Sequence, residues 1–202
     1  MITHIRDNAL PNLSTDQRGI WDEFFSKQDA RAPEKIKSLK NQKLLDEIYE
    51  KSRAKHYDQS SPRLKQLFDS EEYKNRLHLM TKVKALESKL PKAMSALAKR
   101  GLYFAKISGS KSFIIGSQPL VRLANGGTTA LDDPKTELWY PIAHDIAVSI
   151  GSYEEKEKLF ILTNENTKLI RQINLEIVNQ SNEIAGKSAK LISSLIKNKT
   201  TA

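Results

Sequence analysis

The residues best suited to chemistry are His144 and Asp145, with Asp132 and Asp133 a short way upstream. An imidazole beside a carboxylate can serve as a general base. A His among several carboxylates is also the donor set of a metal-dependent nuclease or phosphodiesterase. The contexts Asp132-Asp133-Pro134 and His144-Asp145 place all four residues in loops, at one side of a predicted sheet. The competing explanation is an ordinary polar strand turn, because neighbouring residues of a strand point to opposite faces.

Other catalytic patterns are missing. The chain has no Cys, which removes thiolate nucleophiles, Cys-ligated zinc, iron–sulfur clusters and disulfides. Its four His are His4, His56, His78 and His144, and no two have the spacing of a helical metal motif. His78 reads as a boundary residue beside an apolar helix stripe, and His4 and His56 as exposed. Asn125-Gly126-Gly127-Thr128-Thr129 lacks the spacing and the Lys of a phosphate loop and reads as a turn. No Gly-x-Ser-x-Gly elbow is present, and Ser108-Gly109-Ser110 reads as turn chemistry. No metal and no cofactor is therefore expected, and the residues leave open whether the protein is an enzyme.

A second chemistry is charge. Lys and Arg number 33 and Asp and Glu 24, a net charge of +9. The excess is concentrated between Lys82 and Lys111, where Lys82, Lys84, Lys89, Lys92, Lys99, Arg100, Lys106 and Lys111 face only Glu87. Such a field attracts phosphate backbones or anionic lipid heads. The candidate nucleic-acid contacts are Lys82, Lys84, Lys92, Lys99, Arg100, Lys106 and Lys111, and the alternative is a solvated helix face. Trp21, Phe24 and Phe25 have the chemistry of a base-stacking platform, but their helical spacing favours core.

The elements that must position these groups follow from hydrophobic periodicity. The 202 residues suit one compact unit with a core that needs no staple. Residues 1–13 read as irregular. A short aromatic-faced helix follows from Ser14, then a helix over 33–56, one starting at Ser61-Pro62, and one carrying Leu77, Met80, Val83, Leu86 and Leu90, restarted at Pro91. From Gly101 the pattern becomes strand-like. Residues 102–107 and 112–116 are predicted to form a β-hairpin, with further strands at 119–123, 138–142, 146–150 and 158–162. A long helix from Thr163 closes the chain, with a break near Gly186. The predicted fold is α+β: a helical region over 1–100, then a small, mostly antiparallel sheet plus C-terminal helix over 101–202, probed as one compact unit. The start lacks an export signal and no run is long enough to span a membrane, so a cytoplasmic protein without a membrane partner is expected.

Several short segments, in order, resemble the bacterial domain-of-unknown-function family 4238 over residues 13–188. Leu13 to Gln28 followed by Arg31-Ala32-Pro33 is similar to its helix ending in an Arg-Thr-Pro step. Phe113 to Val121, containing Ser117, Gln118 and Pro119, resembles its Phe-Ile-x-Ser-Asp-x-Pro-Val strand. Trp139-Tyr140-Pro141 resembles its Phe-Pro-Leu-Ser segment, and Asn174 matches an Asn in its closing helix. Two departures stand out. The family's opening His-x-Val-Pro-Gln segment is missing, as in a truncated, alternatively started or divergent member. Gln118 also stands near the family's Asp and can act neither as base nor as metal ligand. The resemblance implies a bacterial accessory protein with a phage-defence or toxin-like role. Three functions follow from the residues: a basic module that binds nucleic acid, a protein-interaction module or homodimer using surplus apolar helix surface, and a metal-dependent nuclease or phosphodiesterase.

Overall fold

The computed structural model describes residues 1–32, 37, 39–87, 91–128, 130–151 and 156–199. Its architecture is α+β, with a five-stranded sheet, a two-stranded ribbon and helices. The chain divides into two compact units. One comprises Met1–Ser26 with Leu90–Ala202, the other Lys27–Lys89.

In the first unit, α1 (Ile2–Arg6), the first part of α2 (Thr15–Ala30) and α6 (Pro91–Ala98) accompany strands β1 (Leu102–Ile107), β3 (Val121–Leu123), β4 (Glu137–Pro141), β5 (Ile146–Ile150) and β6 (Lys158–Leu162). The strand order is β3-β4-β5-β1-β6. Every pairing is antiparallel except β1 with β6. All five residues of β5 are buried, as in a strand covered on both faces. Side-chain alternation sorts the core into two layers. On one face Leu102, Phe104, Leu138, Ile146, Val148 and Ile150 pack with Ile5, Phe25 and Leu97 from the helices. On the other, Ala105, Ile107, Val121, Trp139 and Ala147 pack with Ile170, Ile173, Ile177 and Leu195. Those last residues belong to α7 (Thr167–Gln180) and α8 (Ala189–Lys199). The ribbon of β2 (Ile114–Gly116) and β7 (Ile184–Gly186) lies against them.

The second unit holds α3 (Gln42–His56), α4 (Pro62–Phe68) and α5 (Glu71–Glu87). Asn41 and Ser61 cap α3 and α4 through their side chains, with Pro62 opening α4. Leu45 and Tyr49 are buried, and the Tyr49 hydroxyl donates to the Phe68 carbonyl. Arg53 and Tyr57 both donate to Asp69, at 2.6 and 2.8 Å, and Lys74 meets Asp46 at 2.9 Å. His78 is buried, with Nδ1 3.3 Å from the Gln42 amide and Nε2 3.5 Å from Asp46.

The structure departs from the expectations at several points. Residues 102–107 and 112–116 do not form a hairpin: β1 pairs with β5 and β6, and β2 pairs with β7. An interior strand with two apolar faces gains more from apolar neighbours on both sides than from its nearest sequence neighbour. The expected break near Gly186 is present, and it holds a strand: β2 supplies the partner that lets Ile184–Gly186 leave helical geometry. The N-terminal stretch contains α1, whose Ile5 is fully buried. α3 starts at Gln42, since Asn41 takes the N-cap; the expected start at Pro33 lies outside the described residues. Helices from the first hundred residues also belong to the unit that holds the sheet. The sheet needs a cover on its second face, and the N-terminal helices and α6 provide it.

Candidate functional site

The register of the ribbon decides which side chains meet. Ile114 pairs with Gly186, Ile115 with Ala185 and Gly116 with Ile184. Just beyond the ribbon, Ser110, Lys111 and Ser112 share one lining with Lys187, Ser188 and Lys190. Asn174 of α7, itself buried, fastens this arrangement. Its Oδ1 accepts from the Ile114 N–H at 3.0 Å and its Nδ2 donates to the Ser112 carbonyl at 2.9 Å. Ser181 and Gln180 hold the next stretch. Ser181 Oγ accepts from the Gln118 N–H at 3.0 Å, and the Gln180 amide donates to the carbonyls of Gln118 and Leu120. A Cβ on Gly116 would stand 2.2 Å from Ser181 Oγ and 2.7 Å from Ile177 Cγ2, so glycine lets β2 lie close against α7.

Between the β1–β2 connection, α7 and α8 lies a groove of about 650 Å³. Lys111, Arg171, Lys187 and Lys190 form its cationic rim, and among the described residues no acidic side chain lines it. All four cations are exposed, and none makes an ion pair with a described residue. Ile170, Leu191 and Leu195 supply aliphatic surface, and Ser110, Thr167, Ser188 and Ser194 supply hydroxyls. Ser188 Oγ accepts from the Leu191 N–H at 3.2 Å, capping the first turn of α8. Positive charge, neutral donors and an aliphatic bottom suit an anionic ligand with an apolar part.

The sequence-predicted cations are treated differently by the fold. Arg100 is fully buried. Its guanidinium donates to the carbonyls of Gly151 at 2.6 Å, Leu131 at 3.1 Å and Thr136, tying the β3–β4 loop to the end of β5. Arg100 is therefore no surface contact, because its fork of donors is spent on backbone oxygens that would otherwise be buried unpaired. Lys106 donates to the Arg6 carbonyl and, at 2.8 Å, to Asn8 Oδ1. Lys92 and Lys99 are exposed in the first unit, whereas Lys82 and Lys84 belong to the second. Lys111 alone of the seven lines the groove.

The candidate catalytic residues do not converge. Asp132 and Asp133 precede β4, and His144 and Asp145 follow it. At about 3.4 Å per residue the strand separates the two pairs by roughly 14 Å, far beyond a shared metal. Asp133 caps its own loop, accepting from the Thr128 N–H at 2.6 Å, the Thr128 hydroxyl at 2.9 Å and the Lys135 N–H at 2.9 Å. Those bonds, led by the Thr128 N–H, hold its carboxyl below the ordinary range. Asp145 is gripped by both prongs of the Arg6 guanidinium at 3.0 Å, which likewise lowers its pKa. His144 is exposed, with Nδ1 3.7 Å from Asp145, beyond hydrogen-bond reach. Among the described residues no cluster of His and carboxylates could hold a metal ion.

Ser117, Gln118, Pro119, Trp139 and Pro141 are structural. Ser117 Oγ accepts from the Asn182 N–H at 3.1 Å, and Gln118 and Pro119 lie in the segment stitched to the end of α7. Trp139 is buried and donates to Glu137 at 2.8 Å, and Pro141 is the buried end of β4. Arg31 is exposed, and Pro33 lies outside the described residues. Trp21, Phe24 and Phe25 form edge-on and tilted ring contacts in the core, with Phe25 fully buried, so they are not a stacking platform. No family model, curated protein or solved structure matches the chain. No described helix is long and apolar enough to cross a membrane.

Sequence reading missed Arg171, Lys187 and Lys190. Arg171 lies beside Ile170 and Ile173, off the apolar stripe, and so reads as a solvated face. Lys187 and Lys190 stand within a predicted helix. Their one signal is the Gly186-Lys187-Ser188 break, which carries no information about Lys111 until β2 and β7 pair.

Proposed function

We propose that this protein binds nucleic acid and that the groove beside α7 and α8 is its contact surface. The supporting observation is the convergence of Lys111, Arg171, Lys187 and Lys190 on one groove without an acid in its lining. A phosphate backbone neutralises such a rim and releases its counterions, so binding should fall steeply with salt. Up to four phosphate contacts correspond to a slope of log K on log salt of about −3. Fluorescence anisotropy with labelled oligonucleotides between about 50 and about 200 mM salt measures this. The slope should flatten in a Lys187→Glu/Lys190→Glu variant. Absence of binding at the lowest salt, or binding indifferent to salt, refutes the reading.

This activity suits the phage-defence or toxin-like role that the resemblance to family 4238 implies, in a bacterial cytoplasm, where nucleic acid is accessible. A second reading, a protein-interaction module or homodimer, is favoured by one feature. Leu79, Met80 and Val83 are exposed on α5, at 62%, 45% and 42%. Light scattering that finds only monomer across a concentration series, before and after Met80→Glu, counts against a homodimer.

A further inference from the structure

We infer that the groove is a single-strand site in which a base, turned out from the chain, rests on the aliphatic bottom while the flanking phosphates take the rim. This rests on the nucleic-acid reading above and adds which form of nucleic acid the site takes. The distinction comes from the shape and composition of the groove. Leu191 is half-buried and packs on the core cluster that holds Ile170 and Leu195, both nearly fully buried, so it is the main aliphatic surface of the groove and is backed by the core. A duplex keeps its bases stacked inside and presents a convex rail of phosphates. It can touch the rim but leaves the apolar bottom facing water. A single strand can rotate one base outward, and the flat face of that base covers aliphatic side chains as it would in a base-flipping pocket. The volume of about 650 Å³ lies in the range of sites that enclose a small-molecule-sized group. No aromatic ring lines the groove, so the contact is aliphatic and indifferent to which base is offered.

The test compares three labelled probes of equal length at low salt: a single strand, its duplex, and a single strand of abasic sugar-phosphate units. The expected order is the base-bearing strand first, with the abasic strand about five- to tenfold weaker and the duplex no tighter than the abasic strand. Leu191→Ser should bring the base-bearing strand down to the abasic affinity. Equal binding of all three probes, or tighter binding of the duplex, overturns the single-strand site while the polyanion reading survives. Failure to bind any probe overturns both. The abasic comparison uses the unaltered protein, so it holds even if Leu191→Ser disturbs α8.

Discussion

Between Lys82 and Lys111 the chain sets eight cations against one acid, whereas the groove draws its four cations from three separate segments. Lys111 is the only cation the two regions share. In the linear stretch the cations take different roles. Lys82 and Lys84 fall in one compact unit and Lys92 and Lys99 in the other, while Arg100 is withdrawn into the core and Lys106 holds the N-terminal segment. In the groove, cations 76 residues apart along the chain, Lys111 and Lys187, line one wall because β2 and β7 pair. Charge density along a sequence and charge density in space are different quantities. Only the second attracts a phosphate backbone.

The contrast can be broken most forcefully at Arg100. Arg100→Met should cost about 3–5 kcal/mol in urea denaturation, because carbonyls of Gly151, Leu131 and Thr136 lose a buried charged donor. Lys99→Met, one residue earlier and exposed, should stay within about 0.5 kcal/mol. A tolerant Arg100 would return it to the list of surface contacts. Asn174→Ala should cost about 2–3 kcal/mol by leaving the Ile114 N–H and the Ser112 carbonyl unpaired. It should also weaken oligonucleotide binding, since it frees the segment that carries Lys111. Equal stability of the variant and the parent would show that the ribbon needs no such fastening.

The comparison is sharpened by charge reversal in each region. Lys187→Glu/Lys190→Glu should reduce oligonucleotide affinity about tenfold or more at low salt, and Lys92→Glu/Lys99→Glu less than about threefold. The opposite ranking would move the interface to the linear stretch. The smallest effect is expected at Arg6→Ala, which releases Asp145. The Asp145 carboxyl lies below its ordinary pKa when folded, so its contribution to stability is present above the unfolded value and fades as pH falls through the folded one. Parent and variant should differ slightly in thermal melts near neutrality and converge in strong acid. A gap that widens in acid contradicts the ion pair.

The two catalytic-looking pairs teach the same lesson as the cations. His144 and Asp145 are adjacent in the chain, but Arg6, 139 residues away, occupies the carboxylate that the imidazole would need. Asp132 and Asp133 looked close because their loop is also polar, and β4 holds the two loops at opposite ends of one strand.

Local signals in the sequence were enough to define most helices of the first hundred residues, though not α1, and most strands of the second. Strands such as Ile146–Ile150 and Lys158–Leu162 are apolar runs that begin or end at polar breaks, and capping signals such as Ser61-Pro62 need no distant partner. Pairing was decided elsewhere. β7 is three residues, Ile184-Ala185-Gly186, inside a helix-like period, and only β2 gives those backbone groups a reason to extend. The same holds for the parallel seat of β6 beside β1, the burial of Arg100 and the groove itself. Each depends on long-range hydrogen bonds and on two-sided burial of the sheet. A backbone or a charge seeks whichever partner removes it from water at least cost, and that partner is set by the whole fold rather than by its neighbours in the chain.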